Sequence, residues 1–126
     1  MNALKTNAVL QNGKYRIEGV LGQGGFGITY LASQVALNRK VTIKEFFMKE
    51  LCNRDEQTSQ VSVPSMGSVD TVARFRAKFV KEAQTIAALN NPHIIHIHDI
   101  FEENGTAYYV MDYLSGGSLS DLVPRD

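Results

Sequence analysis

Apolar and polar positions alternate along Tyr15-Arg16-Ile17-Glu18-Gly19-Val20-Leu21, the pattern of a strand with one buried face. Gly22-Gln23-Gly24-Gly25-Phe26-Gly27 follows, and four glycines in six residues bar a helix there. Ile28 to Ala32, rich in β-branched and aromatic residues, predicts a second strand, so the glycine run is a strand-to-strand loop. A polar turn at Asn38-Arg39 leads to a third strand, Val41 to Phe47, with Thr42, Lys44 and Phe46 on one face. Residues 49–70 read as a long polar insertion containing one short strand at Val61-Ser62-Val63. From Ser68 to Asn90 the period becomes helical, with Ser68 or Asp70 as cap and Asn90-Asn91-Pro92 as stop. Ile94 to Phe101 and Ala107 to Met111 predict two last strands joined by a tight turn at Asn104-Gly105. The order is three strands, one helix, two strands, after a polar leader over 1–12.

Composition narrows the role without naming it. The 126 residues, 14.0 kDa, suffice for one domain, and 44% hydrophobic with 21% charged content argues for a folded chain. Thirteen basic against thirteen acidic residues give zero net charge, so no global field draws nucleic acid, and binding must come from a local site. No apolar run approaches the roughly eighteen residues of a membrane span, and the first residues lack a secretory pattern, so a cytoplasmic protein is expected. Cys52, alone, excludes an internal disulfide. His96 and His98 share a strand face near His93, but no third ligand has suitable spacing, so no metal site is expected.

Two misplaced charges carry more information. Val72, Phe75, Phe79, Glu82, Ile86 and Leu89 form one helical stripe, five apolar residues and a carboxylate. Either the stripe is rotated so that Glu82 sits at its edge in water, or Glu82 meets a cation. Lys44, a lysine inside an apolar strand, is the matching anomaly. A lysine held by a glutamate can grip a phosphate, and glycines let backbone N–H groups approach one closely, so loop, lysine and glutamate read as one anion site. The G-x-G-x-x-G of Gly22, Gly24 and Gly27 also occurs in dinucleotide-binding folds. There it opens a helix, so a nicotinamide-binding reading depends on whether residues 28–32 are strand or helix. No Gly-Lys-Ser/Thr ending is present, which excludes a Walker-type loop.

As an ordered set, these motifs resemble the N-terminal lobe of a protein kinase, in particular a bacterial serine/threonine kinase of the eukaryotic-like type. Leu21 to Thr29 resembles the glycine-rich loop, Val41-Thr42-Ile43-Lys44 the V-A-I-K strand, and Glu82 the glutamate of the helix called αC. Val110-Met111-Asp112-Tyr113-Leu114 resembles the gatekeeper and hinge, with Met111 as gatekeeper. The resemblance implies an α+β fold, a five-stranded antiparallel sheet on one main helix, with the lobe over 13–114 and the start of the next helix over 115–126. It implies ATP held by Leu21, Gly22, Gly24, Gly25, Phe26, Gly27, Thr29, Thr42 and Lys44, by the Met111 wall, and by the backbone of Asp112 and Leu114. Lys44 and Glu82 would form the phosphate-positioning pair. Thr29 and Thr42 depart from the valine and alanine of the pattern and would make the roof over adenine more polar.

The chain contains no H-R-D, D-F-G or A-P-E. By the resemblance the catalytic base and the ligands of Mg lie in a missing larger lobe, so the chain reads as an inactive fragment of a longer kinase that phosphorylates proteins. A non-catalytic interaction module of pseudokinase type is the alternative. Loss of the larger lobe would expose Leu114, Leu119, Leu122 and part of the helix, so self-association is expected.

Overall fold

The computed structural model describes residues 2–89 and 96–113. Its main sheet has six strands, all neighbours antiparallel: β1 (Val9–Leu10), β2 (Tyr15–Gln23), β3 (Gly27–Gln34), β4 (Arg39–Phe46), β7 (Ile97–Glu103) and β8 (Thr106–Asp112). The spatial order is β1-β2-β3-β4-β8-β7. A separate ribbon pairs β5 (Asn53–Arg54) with β6 (Val61–Ser62), and the single α-helix among the described residues, α1, is Val69–Ala88. The five expected strands are present, the fourth of them from Ile97 onward, since 94–95 and the expected helix stop at 90–92 lie outside the described residues. Residues 28–32 lie within β3, which removes the dinucleotide-binding reading, since that loop would have to open a helix.

The sheet curls until its two ends meet. Tyr15 on β2 donates its hydroxyl to Asp99 of β7 at 2.9 Å, and the Gln11 backbone N–H donates to Glu103 at 2.8 Å. Tyr15 also stacks on Phe101 at 6.0 Å between ring centres. The core fills the inside of this curl, with Leu10, Ile17, Tyr30, Val41, Ile43, Tyr108 and Val110 all buried. Burial of such side chains contributes about 1.5–3 kcal/mol each relative to exposure.

The sixth strand, β1, comes from the leader, which sequence treats as polar. Leu4 and Leu10 are buried, and two isolated leucines are too few to show a period. The insertion is also less irregular than expected. Cys52 is buried in the core cluster with Leu51, Val61 and Val63 packed against it, and the Val61 N–H donates to the Asn104 carbonyl at the β7–β8 turn. That turn matches its sequence: Asn104 and Gly105 have φ of 55° and 73°, and a Cβ on Gly105 would lie 2.7 Å from the Val61 carbonyl oxygen.

Helix α1 is turned relative to the expected stripe. Its fully buried residues are Val72 and Ala83, whereas Phe75 is 36% and Leu89 49% exposed. The packed face follows 72, 76, 79, 83 and 86, with Phe79 set 5.7 Å from Phe46 and 5.0 Å from Tyr109 between ring centres. Rotation by about one position swaps Glu82 for Ala83 at the contact and leaves the carboxylate exposed.

A close approach explains one glycine. A Cβ on Gly27 would fall 2.8 Å from the Glu45 carbonyl oxygen across the β3–β4 ladder, whereas Gly24 has nothing within 4 Å. Gly27→Ala is therefore expected to cost about 1–3 kcal/mol, the range for overpacking, and Gly24→Ala less than about 0.5 kcal/mol. Chemical denaturation of both variants measures the contrast.

Candidate functional site

The glycine-rich turn, Gly24 to Phe26, links β2 to β3 and is closed by a 2.9 Å hydrogen bond from the Gly24 N–H to the Gly27 carbonyl. Among the described residues the N–H groups of Gly25 and Phe26 have no hydrogen-bond partner, and both residues are exposed. Gly22, Gly24 and Gly25 have open space where a Cβ would stand. Unpaired N–H groups without neighbouring bulk form a surface on which an anion can sit closely.

Lys44 is next to this surface by register. It pairs with Thr29 on β3 and Tyr109 on β8, and its Nζ lies 5.9 Å from the centre of the Tyr109 ring. Glu82 reaches the same tyrosine from α1. Burial raises the Tyr109 pKa above the ordinary phenol value, and the nearby Glu82 charge raises it further. No ion pair within 4.0 Å joins Lys44 to Glu82, so the structure brings the two charges to one tyrosine without coupling them. Glu82 lines a cavity of about 280 Å³ with Phe26, Phe46, Phe75, Lys78 and Phe79. Phe26 closes that cavity by packing on Phe75 of α1, at 5.3 Å between ring centres.

Thr42 and Met111 are register partners on β4 and β8, and Leu31 flanks Thr42 on the other side. Thr42 is fully buried, and its hydroxyl is the one buried side-chain polar atom without a partner among the described residues. Its cost therefore lies in the fold before any ligand arrives. Thr42→Val, which keeps the shape and removes the hydroxyl, is expected to raise unfolding free energy by about 1 kcal/mol, read from the denaturation midpoint. Thr29 is half-buried. Leu21 is exposed. Leu114, Leu119, Leu122 and His93 lie outside the described residues.

Asp112, at the end of β8, is braced by the neighbouring strand. Its carboxylate pairs with the His98 ring and accepts the His96 N–H at 3.2 Å, while its own N–H donates to the His96 carbonyl. Partial burial raises its pKa, but the bonds from His98 and His96 outweigh burial and hold the carboxyl below the usual aspartate value. A depressed folded pKa gives stability that is present above the free value of about 3.9 and lost as pH falls through the folded value. Asp112→Asn is thus expected to flatten the decline in melting temperature between pH 5 and about 3.

A group that the charge-pattern reading missed lies on the opposite face of β4. Glu45 is fully buried and accepts hydrogen bonds from Arg54, Tyr30 and Tyr108. Arg54 also donates to the carbonyls of Asn2 at 2.7 Å and Ser59 at 2.9 Å, and the Tyr30 hydroxyl accepts the Leu4 N–H. Burial opposes the Arg54 charge, but the hydrogen bond and charge of Glu45 outweigh it and hold the guanidinium pKa above normal. Burial and the Glu45 charge push both tyrosines far up. The signal was available: Glu45 alternates with Val41, Ile43 and Phe47, so it breaks an apolar face as Glu82 does.

The sequence matches the protein kinase domain over residues 15–126. The chain belongs to the protein kinase domain family. It is 31% identical over 112 residues to the serine/threonine-protein kinase PrkC of Bacillus subtilis, covering 89% of this chain and 14% of PrkC. Among solved structures it is similar to PpkA-294 in its apo form, with a TM-score of 0.86, 30% identity, and coverage of 97% of this chain and 42% of that one. The Mycobacterium tuberculosis PknI kinase domain gives a TM-score of 0.58 at 25% identity, covering 89% of this chain and 36% of that one. The chain thus spans a minor part of each of these relatives. An antiparallel sheet with one main helix is consistent with the N-terminal lobe of a kinase. Among the described residues no helix is long and apolar enough to cross a membrane.

Proposed function

We propose that these residues form the ATP-binding lobe of a serine/threonine protein kinase that acts on protein hydroxyls in the cytoplasm. One observation carries the reading. The N–H groups of Gly25 and Phe26, unpartnered among the described residues, lie in the turn that leads into β3, and Lys44, without a carboxylate partner among the described residues, lies on the adjacent strand β4 opposite Thr29. ATP fits them: it brings phosphates that both kinds of donor can hold, and it supplies the transferable γ-phosphoryl group. The N–H groups would cover the phosphates and Lys44 would hold them as a point charge. The Asp112 backbone and Leu114 would meet the adenine edge, with Met111 behind it.

The 126 residues contain no H-R-D or D-F-G, so on this reading the base and the Mg ligands lie outside them, and these residues alone position nucleotide without transferring phosphate. The separation of Lys44 from Glu82 supports a resting arrangement in which α1 must approach the sheet before transfer. Self-association through surfaces a larger lobe would cover belongs to the same reading.

Calorimetric titration with Mg-ATP and with adenosine tests it. Mg-ATP is expected to bind at least about tenfold more tightly, the equivalent of one charge-assisted contact. Equal affinities would remove the phosphate site.

A further inference from the structure

The glycine-rich turn has one side-chain support, Phe26 on Phe75 of α1, and none at its glycines. Gly22, Gly24 and Gly25 have no neighbour at their Cβ positions, and a cavity of about 580 Å³ lies between the turn and residues 47–51, lined by Gln23, Gly24, Phe26, Phe47 and Lys49 among others. Left alone, such a turn would sink into that space or swing away from it. Besides the Phe26 contact and the Gly24–Gly27 bond that closes the turn, two backbone hydrogen bonds tie it to residues 47–49. The Phe47 N–H donates to the Phe26 carbonyl at 2.9 Å, and the Lys49 N–H donates to the Gly25 carbonyl at 3.0 Å.

Both donors belong to a segment fixed at its two ends. Glu45 anchors one end, and Arg54, paired with Glu45 and bonded to Asn2 and Ser59, anchors the other. Between them the N–H groups of Leu51 and Cys52 turn back onto the Met48 carbonyl at 3.0 and 2.8 Å. Phe47, Met48 and Cys52 are buried. The donors therefore stay in place when the turn moves.

We infer that Phe47 and Lys49 are positioning residues whose backbone N–H groups clamp the glycine-rich turn, holding Gly25 and Phe26 ready for the phosphates of a nucleotide. The inference rests on the nucleotide reading above and adds to it the device that presets the turn. Because the bonds use the carbonyl oxygens of Gly25 and Phe26, their N–H groups remain free. A turn ordered in advance loses less entropy on binding.

Lys49→Pro deletes one donor at an exposed position, and Lys49→Ala keeps the N–H while removing the side chain. The clamp predicts that Lys49→Pro weakens Mg-ATP binding by about three- to tenfold and speeds amide exchange at Phe47, with exchange in the β7–β8 ladder unchanged. Lys49→Ala should match the wild type in both. Unchanged or tighter binding by Lys49→Pro, or equal loss in Lys49→Ala, would overturn the clamp. If exchange in the β7–β8 ladder also rises in Lys49→Pro, that variant is replaced by amide-to-ester substitution at Lys49, judged by the same two readouts. Failure of the wild type to bind nucleotide would sink the nucleotide reading and with it the clamp's purpose, whereas binding by the wild type with no effect of Lys49→Pro sinks the clamp alone.

Discussion

Arg54→Met lowers the unfolding free energy by about 3–5 kcal/mol, the range for removing one partner of a buried ion pair. Glu45 is fully buried and the Arg54 side chain is 4% exposed, so the variant leaves a carboxylate in the core with two tyrosine hydroxyls as its remaining donors. Two further bonds, to the carbonyls of Asn2 and Ser59, are lost as well. Replacing both charges, as in Glu45→Leu with Arg54→Met, should recover part of the loss, because the uncompensated buried charge disappears while the Tyr30 and Tyr108 hydroxyls lose their acceptor. Urea denaturation of the single and double variants separates these outcomes. A single-variant loss below about 1 kcal/mol would place the pair among weak surface contacts and contradict its role in joining leader, insertion and sheet.

Lys44→Met has the opposite profile. Lys44 is half-buried and makes no ion pair with a described residue, so its loss should change stability by no more than about 0.5 kcal/mol. In a full-length kinase carrying this lobe, phosphoryl transfer should fall by about 10²–10³, the scale for deleting one preorganised electrostatic contact to a reacting group. Assay of the purified full-length protein, with melting temperature measured in parallel, checks both halves. A fold that collapses together with activity would make Lys44 a structural residue.

These predictions come from the two faces of one strand, which were unequally legible in sequence. Thr42, Lys44 and Phe46 stood out because a lysine within an apolar strand followed a glycine-rich loop, and that face carries the candidate site. The other face carries Val41, Ile43, Glu45 and Phe47, and its carboxylate is satisfied by Arg54, nine residues away in a polar stretch without periodicity. An irregular segment gives no pattern by which such a partner can be found. The strands were readable because alternation and turn chemistry agreed, most clearly at Asn104-Gly105. The helix was readable as a helix but not in its rotation: a stripe through Phe75 and Glu82 and one through Arg76 and Ala83 differ by one position, and only packing on Phe46 and Tyr109 selects between them. The curl of the sheet depends on Tyr15 meeting Asp99, 84 residues away, a contact that no local period encodes.

The most direct test of the central claim is a titration of the isotopically labelled chain with Mg-ATP, followed by amide and side-chain NMR. The account predicts shifts that cluster at Gly24, Gly25, Phe26, Lys44 and Asp112, with Arg54 and the β5–β6 ribbon unmoved. No shifts at millimolar nucleotide, or shifts confined to residues away from the glycine-rich turn and Lys44, would contradict it.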